Sequence, residues 1–228
     1  MVCSWFLLVT SYLRCQHGKL KLINIIIILM TWIGGAAMLQ TIINLPMWQF
    51  IRSLGIVSYV FLAIGICLGI SYSMPILPIA WKKHMYKLHN FFTLAGTGIG
   101  LLHGIITIID TYMPYTWSEV LIPFTTKSHP ILNGFGTLSG YLMLFVIFST
   151  DLRNKLKKPV WLVLHLMAYP AFFLAFIHGY YLGTDTNNPA VHTMYLVTIA
   201  AVLSVSVIRG FGRGKVHSPK LPMVQNQR

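Results

Sequence analysis

Apolar residues along this chain form six long runs, and most polar residues fall in the short stretches between them. An α-helix needs about 20 apolar residues to cross a hydrocarbon core about 30 Å thick. Backbone groups in lipid must be hydrogen-bonded within their own segment, and the sequence lacks the alternation of a membrane barrel strand. The runs therefore predict membrane-spanning helices, at residues 22–43, 55–79, 88–109, 131–149, 160–181 and 192–208.

Composition supports a location in the lipid bilayer. The 228 residues are 56% hydrophobic and 9% charged, whereas a soluble domain is about a quarter charged. The net charge of +13 comes from short basic clusters between the apolar runs. This distribution is typical of membrane topology signals, so the charge does not predict a nucleic-acid partner.

The basic clusters predict the orientation of the helices. All but two of the 17 Lys and Arg residues lie before the first run, between runs two and three, between runs four and five, or after the sixth run. Arg52 and Lys127 alone lie on the opposite side. The positive-inside rule then places both termini in the cytoplasm. The prediction is an all-α, six-helix bundle in the cell membrane, with spans three and five both running outward.

Three regions follow from this pattern. Residues 1–21 are predicted to be a cytoplasmic or interfacial segment, residues 22–208 the six-helix domain, and residues 209–228 a flexible basic tail. The outer stretch 111–130 contains three prolines and is predicted to lie along the membrane surface. The three cysteines form no metal-binding or disulfide pattern, and we assign them no role.

Four histidines lie in two of the predicted spans at similar spacings. His89 and His103 are fourteen positions apart, and His165 and His178 are thirteen apart. Histidine is costly at membrane depth, so its presence there points to a functional site. Fourteen helical residues rise about 21 Å, which places one histidine of each span near each membrane face. Because the two spans run in the same direction, the predicted pairs are His89–His165 and His103–His178.

Two stacked bis-histidine sites favour two b-type haems. Each pair would supply the axial ligands of one iron, and two protein ligands without Cys or Met suit a six-coordinate haem. Such an iron has no open coordination position, so the sites are predicted to transfer electrons across the membrane. No catalytic residue is predicted in addition to the ligands His89, His103, His165 and His178.

Neighbouring residues fit this prediction to different degrees. Thirteen residues at 100° each leave His178 about 140° from the face of His165 in an ideal helix, so Pro170 is expected to rewind or kink the fifth span. Gly96 and Gly100 are explained equally well by close approach of a macrocycle and by ordinary helix packing. Phe172 and Phe173 lie between the two levels, where aromatic core packing is the favoured interpretation.

Other polar residues are weaker candidates. Arg52, His129 and His192 lie at the predicted outer side, where they could meet haem propionates or an electron acceptor. His84 and Lys87 lie at the inner side, where the inner propionates are an alternative to a solvated loop. The four acidic residues lie at helix ends or in loops, so no buried proton relay is predicted.

At these residues the chain resembles the ferric reductase-like transmembrane domain. The resembling stretches are KLHNFFTLAGTGIGLLHG at 87–104 and KKPVWLVLHLMAYPAFFLAFIHGYYLGTD at 157–185. The superfamily includes ferric reductases, NADPH oxidases and the haem-binding subunit of the bacterial periplasmic methionine-sulfoxide reductase system. The resemblance covers about residues 22–209 and rests mainly on the two histidine spacings. It implies that the four histidines are haem ligands that carry electrons outward from a cytoplasmic donor.

The C-terminal region departs from part of that superfamily. Ferric reductases and NADPH oxidases continue into flavin and nicotinamide domains, whereas this sequence shows no G-x-G-x-x-G fingerprint. We therefore expect the stand-alone form, the electron-transfer subunit of a larger oxidoreductase system. A separate cytoplasmic flavoprotein or a membrane quinol would supply electrons, and a periplasmic or extracellular acceptor would take them.

Two other functions stay open on the sequence alone. The first is a quinol-oxidising cytochrome b subunit of a larger complex, which a quinone pocket would favour. The second is a non-redox transporter of transition metals. Imidazole binds such metals readily, but histidines about 21 Å apart along a helix cannot share one ion, which disfavours a transporter.

Overall fold

A computed structural model describes residues 47–75, 77–110 and 112–211 of the chain. Of these residues 81% are helical and none lies in a strand, which confirms the all-α class for this part of the chain. The helices are α1 Met47–Tyr72, α2 Ile79–Ile106, α3 Trp117–Leu121, α4 Pro130–Asp151, α5 Lys158–Leu166, α6 Ala168–Leu182 and α7 Pro189–Phe211. A short 3₁₀ helix, Thr184–Asn187, precedes α7.

Four segments are long and apolar enough to cross a membrane. They are Met47–Tyr72, Pro130–Asp151, Lys158–Leu182 and Pro189–Phe211, and they correspond to predicted spans two, four, five and six. Helix α2 has 28 residues and a length of about 42 Å, but it is less apolar because it contains Lys82, Lys83 and both histidines of the third span. Predicted span 22–43, segment 1–21 and most of tail 209–228 lie outside the described residues.

Helix α1 is displaced from its predicted position. The expected span was 55–79, whereas the helix begins at Met47 and ends at Tyr72. Pro75 and Pro78 follow the observed end, and proline interrupts the backbone hydrogen-bond ladder. The prediction was therefore wrong at both ends of this helix. At the other end of the chain, α7 continues to Phe211, three residues into the region predicted to be a flexible tail.

The fifth span is interrupted where the sequence predicts it. Helix α5 ends at Leu166 and α6 begins at Ala168, with Met167 between them. The Met167 N–H donates to the Leu164 carbonyl at 3.1 Å, and the regular ladder resumes with Ala171 N–H and the Met167 carbonyl at 3.1 Å. Pro170 has no N–H to offer the Leu166 carbonyl, which explains the local tightening.

Small residues let α1 and α2 approach closely. The Ser58 hydroxyl donates to the Gly96 carbonyl at 2.8 Å, and a Cβ on Gly100 would lie 2.8 Å from the Ser58 hydroxyl oxygen. Thr93 fills the space beside Gly65, where a Cβ would lie 2.6 Å from the threonine methyl. Small-residue contacts of this kind are typical of membrane helix pairs.

An aromatic core joins α1, α6 and α7. Tyr59 stacks on Phe172 with ring centroids 5.1 Å apart, and its ring lies 4.8 Å from that of Tyr195. All three are buried. The Tyr59 hydroxyl is also hydrogen-bonded to Thr198 at 2.8 Å, which satisfies a polar group that lipid could not. On the other side of α6, the Ser139 hydroxyl of α4 donates to the Ala171 carbonyl at 2.8 Å.

Polar contacts connect α1 and α7 at both ends. Arg52 forms an ion pair with Asp185 at 3.1 Å and donates to the Thr184 hydroxyl at 2.8 Å. At the other end, Arg209 Nε donates to the Ser73 hydroxyl at 2.7 Å. The two helices therefore run in the same direction, as predicted for spans two and six.

The stretch before α4 packs along that helix. Within it, α3 begins with a capping box in which Thr116 and Glu119 bond reciprocally. The Tyr141 hydroxyl donates to the Leu121 carbonyl, and the Thr137 hydroxyl donates to Val120 O at 3.1 Å. The described part of predicted loop 111–130 therefore lies against the bundle rather than projecting from it.

Candidate functional site

The structure brings the four histidines together in two pairs. The rings of His89 on α2 and His165 on α5 have centroids 6.2 Å apart, and we call them the inner pair. The rings of His103 on α2 and His178 on α6 have centroids 6.3 Å apart, and we call them the outer pair. Because α2 meets α5 at one level and α6 at the other, α2 and the α5–α6 segment run in the same direction.

The ring separations match two imidazoles bound to one metal ion. A metal–imidazole nitrogen bond is about 2 Å long, so ligands on opposite sides of an ion have ring centres roughly 6 Å apart. The ring planes make angles of 69° in the inner pair and 77° in the outer pair. All four histidines are partly buried. Both pairs therefore have a separation and an accessibility that suit axial ligands.

In the outer pair, two backbone carbonyls accept the Nδ1 hydrogens. His103 Nδ1 lies 2.8 Å from the Ile51 carbonyl of α1. His178 Nδ1 lies 2.8 Å from the Leu132 carbonyl of α4. A carbonyl oxygen can only accept a hydrogen bond, so each ring carries its proton on Nδ1.

The inner pair is held by one carbonyl and one hydroxyl. His89 Nδ1 lies 2.7 Å from the Gly65 carbonyl of α1. His165 Nδ1 lies 3.4 Å from the Thr150 hydroxyl, which itself donates to the Val146 carbonyl at 2.8 Å. Since the Thr150 hydrogen is used in that bond, its oxygen is left to accept from His165. Trp161 also stacks on the His165 ring, with centroids 5.1 Å apart and an interplanar angle of 23°.

These hydrogen bonds leave Nε2 unprotonated at all four positions. A neutral imidazole protonated on Nδ1 presents a lone pair on Nε2, which is the form in which histidine binds metals. Metal-binding histidines usually donate their other N–H to a carbonyl or similar acceptor. The side chains therefore fit a haem, whose porphyrin leaves two axial positions for the protein.

A metal site with three or four His, Cys, Asp or Glu ligands is not present in the part of the chain that the structure describes. No group of three or more His, Cys, Asp or Glu residues there could hold a metal ion. A tetrahedral zinc site needs at least three such ligands, whereas each described histidine cluster has two.

The outer candidates are engaged with other protein groups. Arg52 is paired with Asp185 as described above, and His192 Nε2 lies 3.2 Å from the Tyr180 hydroxyl. His129 is exposed and adopts a left-handed conformation with φ 48° immediately before α4. That these three residues contact haem propionates or an electron acceptor stays a prediction.

The inner candidates lie on the first turns of α2. Its helical region includes Lys82, Lys83, His84 and Lys87, which the sequence pattern had placed between spans. His84 is exposed and its Nδ1 lies 3.2 Å from the Ala80 carbonyl. These side chains thus form a basic surface on the helix that carries His89.

The helix-packing interpretation holds for Gly96 and Gly100, because Cβ atoms there would meet Leu62 and Ser58 of α1. Phe172 is buried at 2% exposure in the aromatic core, whereas Phe173 is 54% exposed. Core packing therefore accounts for Phe172, and Phe173 faces outward.

Sequence reasoning missed the groups that orient the imidazoles. Three of them are the backbone carbonyls of Ile51, Gly65 and Leu132, and the fourth is the hydroxyl of Thr150. Every residue has a carbonyl, so no residue type marks these positions. It also missed that Asp110 is buried at 4% exposure, where one carboxylate oxygen accepts from the Met113 N–H at 3.0 Å.

Comparisons with protein-family models, with curated proteins and with solved structures find no match for this chain. The resemblance to the ferric reductase-like transmembrane domain stays a prediction from the sequence.

Proposed function

We propose that this chain binds two b-type haems, one at each histidine pair, and conducts electrons across the cell membrane. Electrons would enter from a cytoplasmic flavoprotein or a membrane quinol and leave to an acceptor on the outer side, as the resemblance to the ferric reductase-like domain implies. When bound, haem supplies a reversible one-electron couple whose potential depends on its axial ligands and their hydrogen bonds.

One observation carries this proposal: two histidine pairs have ring separations of 6.2 and 6.3 Å, and each Nδ1 lies near an acceptor. Two pairs at different levels of parallel helices are what a transmembrane conduit requires. His89 and His103 are separated by about 21 Å along α2, which is most of the thickness of a hydrocarbon core.

The protein side chains would hold and orient the ligands. The Nδ1 bonds fix the tautomer of each imidazole and restrain its rotation about the Cβ–Cγ bond. Phe172 and Tyr59 stack between the two levels, where they place two buried aromatic rings. The basic residues of α2 and of stretch 153–158 lie at the inner-pair end, which supports electron entry there.

The test is the spectrum and haem content of the purified full-length protein. We expect a reduced b-type spectrum and about two haems per chain, falling to about one in His89→Ala or His165→Ala and, separately, in His103→Ala or His178→Ala. The two variants of one pair should lose the same spectral component, because each pair would hold one haem.

His84→Ala is the matched control, since His84 lies on the same helix but is exposed and bonds to the Ala80 carbonyl of its own helix. It should keep both haems. A colourless wild-type protein, or retention of both haems in all four pair variants, would overturn the proposal.

A further inference from the structure

We propose that Gly55, Gly69 and Gly136 are positioning residues that expose a backbone carbonyl to each of three histidines. The inference rests on the proposed haem function for its redox readout, while its structural basis is independent of any bound group. It assigns a role to glycines that lie on α1 and α4, outside the helices that carry the histidines.

The three glycines have the same relation to the accepting carbonyls. The acceptors are the carbonyls of Ile51, Gly65 and Leu132, and the glycine follows each acceptor by four positions. In an α-helix the Cβ of a residue tilts toward the N-terminus and lies on the same face as the residue four positions earlier. A side chain at the fourth position would therefore cover the carbonyl that the histidine uses.

Distances show that the imidazoles occupy the space of the missing side chains. A Cβ on Gly69 would lie 2.8 Å from His89 Nδ1, and one on Gly136 would lie 2.7 Å from His178 Nδ1. A Cβ on Gly55 would lie 3.1 Å from His103 Cε1 and 3.3 Å from its Nδ1. The first two positions cannot accept a methyl group unless the ring moves, and the third is less tight.

The shared carbonyls keep their helical role. A backbone carbonyl has two lone pairs, so it can accept from the N–H four residues later and from an imidazole as well. The histidine bond is thus added to the ladder of α1 or α4 without breaking it. This requires the ring to approach the helix backbone closely, and a Cβ at Gly69 or Gly136 would prevent that approach.

The spacing of the glycines matches the spacing of the histidines. Gly55 and Gly69 are fourteen residues apart on α1, as are His89 and His103 on α2. Gly55 contacts His103 and Gly69 contacts His89, so the two helices run antiparallel and the two spacings coincide. Chance packing of small residues would not predict this register.

The fourth histidine has a different acceptor. His165 Nδ1 lies 3.4 Å from the Thr150 hydroxyl. Here α4 provides a side-chain oxygen as the acceptor rather than a backbone carbonyl. Thr150 therefore offers a test that introduces no steric clash, because valine has the same shape and lacks the hydroxyl.

Loss of a Nδ1 bond has a defined effect on a bound metal. Donation from Nδ1–H to an oxygen makes the imidazole a stronger electron donor, which favours the oxidised iron. Losing the bond should raise the midpoint potential of that haem. Rotation of the ring should also change its low-spin ferric EPR signal, which depends on the angle between the two imidazole planes.

The experiment compares haem-loaded, full-length variants by EPR and redox titration. Gly69→Ala should change the signal and raise the potential of the inner haem alone, and Gly136→Ala should do so for the outer haem alone. Gly55→Ala should also affect the outer haem, by a smaller shift. Gly98→Ala and Gly140→Ala are matched controls on α2 and α4, because a Cβ at either position meets no atom of the described residues within 4 Å.

If Gly69→Ala or Gly136→Ala does not fold, Gly55→Ala still tests the role of the glycines, because its position is less tight. Thr150 separately tests the effect of an Nδ1 bond on the potential. Thr150→Val should raise the potential of the inner haem, and Thr150→Ser should restore the wild-type value. Two haems with unchanged EPR signals and potentials in Gly69→Ala, Gly136→Ala and Thr150→Val would overturn this inference and leave the haem function standing. A wild-type protein without haem would instead overturn the proposed function.

Discussion

The inner and outer halves of the helix bundle hold their histidine pairs by different means. In the outer pair both imidazoles bond to backbone carbonyls at 2.8 Å, from Ile51 and Leu132. In the inner pair one imidazole bonds to a carbonyl, and the other to the Thr150 hydroxyl at 3.4 Å. A longer bond is weaker, and a hydroxyl can be removed by substitution whereas a carbonyl cannot.

The contacts between α1 and the α7 region are also stronger at the outer-pair end than at the inner-pair end. At the outer end an ion pair and a second hydrogen bond of Arg52 join α1 to the segment before α7. At the inner end, the contact between described residues is an exposed hydrogen bond from Arg209 to Ser73. The outer half is thus more firmly constrained, and the inner half is the one that single substitutions can adjust.

Pro170 separates the two halves and should give the largest effect. Pro170→Ala supplies the missing N–H and lets Lys158–Leu182 become one regular helix. The faces of His165 and His178 would then diverge by about 140°, so one pair should fail to form. We expect the haem content of the purified protein to fall from about two to about one per chain.

Pro159→Ala is the control for this substitution. Pro159 lies in the first turn of α5, where proline interrupts no helical bond, so this variant should keep full haem content. Full haem content with an unchanged EPR spectrum in Pro170→Ala would show that tertiary packing, not the proline, sets the angle between the two faces.

The interruption near Pro170 could be predicted from the sequence, whereas the displacement of α1 could not. The spacing of the histidines, the direction of the spans and the position of Pro170 are sufficient to predict which rings meet, because each depends on residue type and helix period. The C-terminal end of α1 was missed because apolar residues between and beside Pro75 and Pro78 continue the hydrophobic pattern to Ile79. Hydropathy alone does not mark the point where the hydrogen-bond ladder ends.

The orienting groups are harder to predict from the sequence. Backbone carbonyls are present at every position, so the acceptors for His89, His103 and His178 become visible only when neighbouring helices are placed. The equal spacing of Gly55–Gly69 and His89–His103 was a usable signal. It gains meaning only once α1 is known to lie beside α2 in antiparallel orientation.

The ion pair at the outer end should contribute the next largest effect. Arg52 and Asp185 have side chains that are 28% and 32% exposed, so their attraction is only partly screened. Arg52→Gln and Asp185→Asn should each lower the free energy of unfolding, with a coupling of about 1 kcal/mol in a double-mutant cycle. Unfolding in mixed detergent micelles would measure it.

Lys127→Gln is the matched control, since it removes an exposed outer-side cation and should change stability little. Additive effects of Arg52→Gln and Asp185→Asn would show that the pair does not stabilise the outer end, and the contrast between the two halves would then rest on the histidine acceptors alone.

The inner-end contact should have a smaller effect. The Ser73 hydroxyl accepts from Arg209 and donates to the Ile70 carbonyl at 2.7 Å. Because the contact is exposed, Ser73→Ala should lower the free energy of unfolding by only about 0.5 kcal/mol, and Ser73→Thr should preserve it. A loss equal to that of Arg52→Gln, in the same detergent assay, would contradict the view that the inner end is less constrained.

The smallest effect should be a local pH dependence in the outer stretch. Backbone and hydroxyl donors of Thr116 hold the pKa of Glu119 below its ordinary value. A lowered pKa means that the cap stabilises α3 fully above the ordinary carboxyl range and loses this effect as pH falls through the lowered value. Amide exchange at residues 116–121, corrected for the intrinsic pH dependence, should therefore accelerate only in acid.

Glu119→Gln is the variant that tests this explanation. Glutamine also accepts the capping bond but does not titrate, so protection of α3 should persist unchanged as pH falls. The same acid-dependent loss in this variant would assign the pH response to another group. Haem content should not change in either protein, since the described contacts of Glu119 lie within the stretch before α4, away from both histidine pairs.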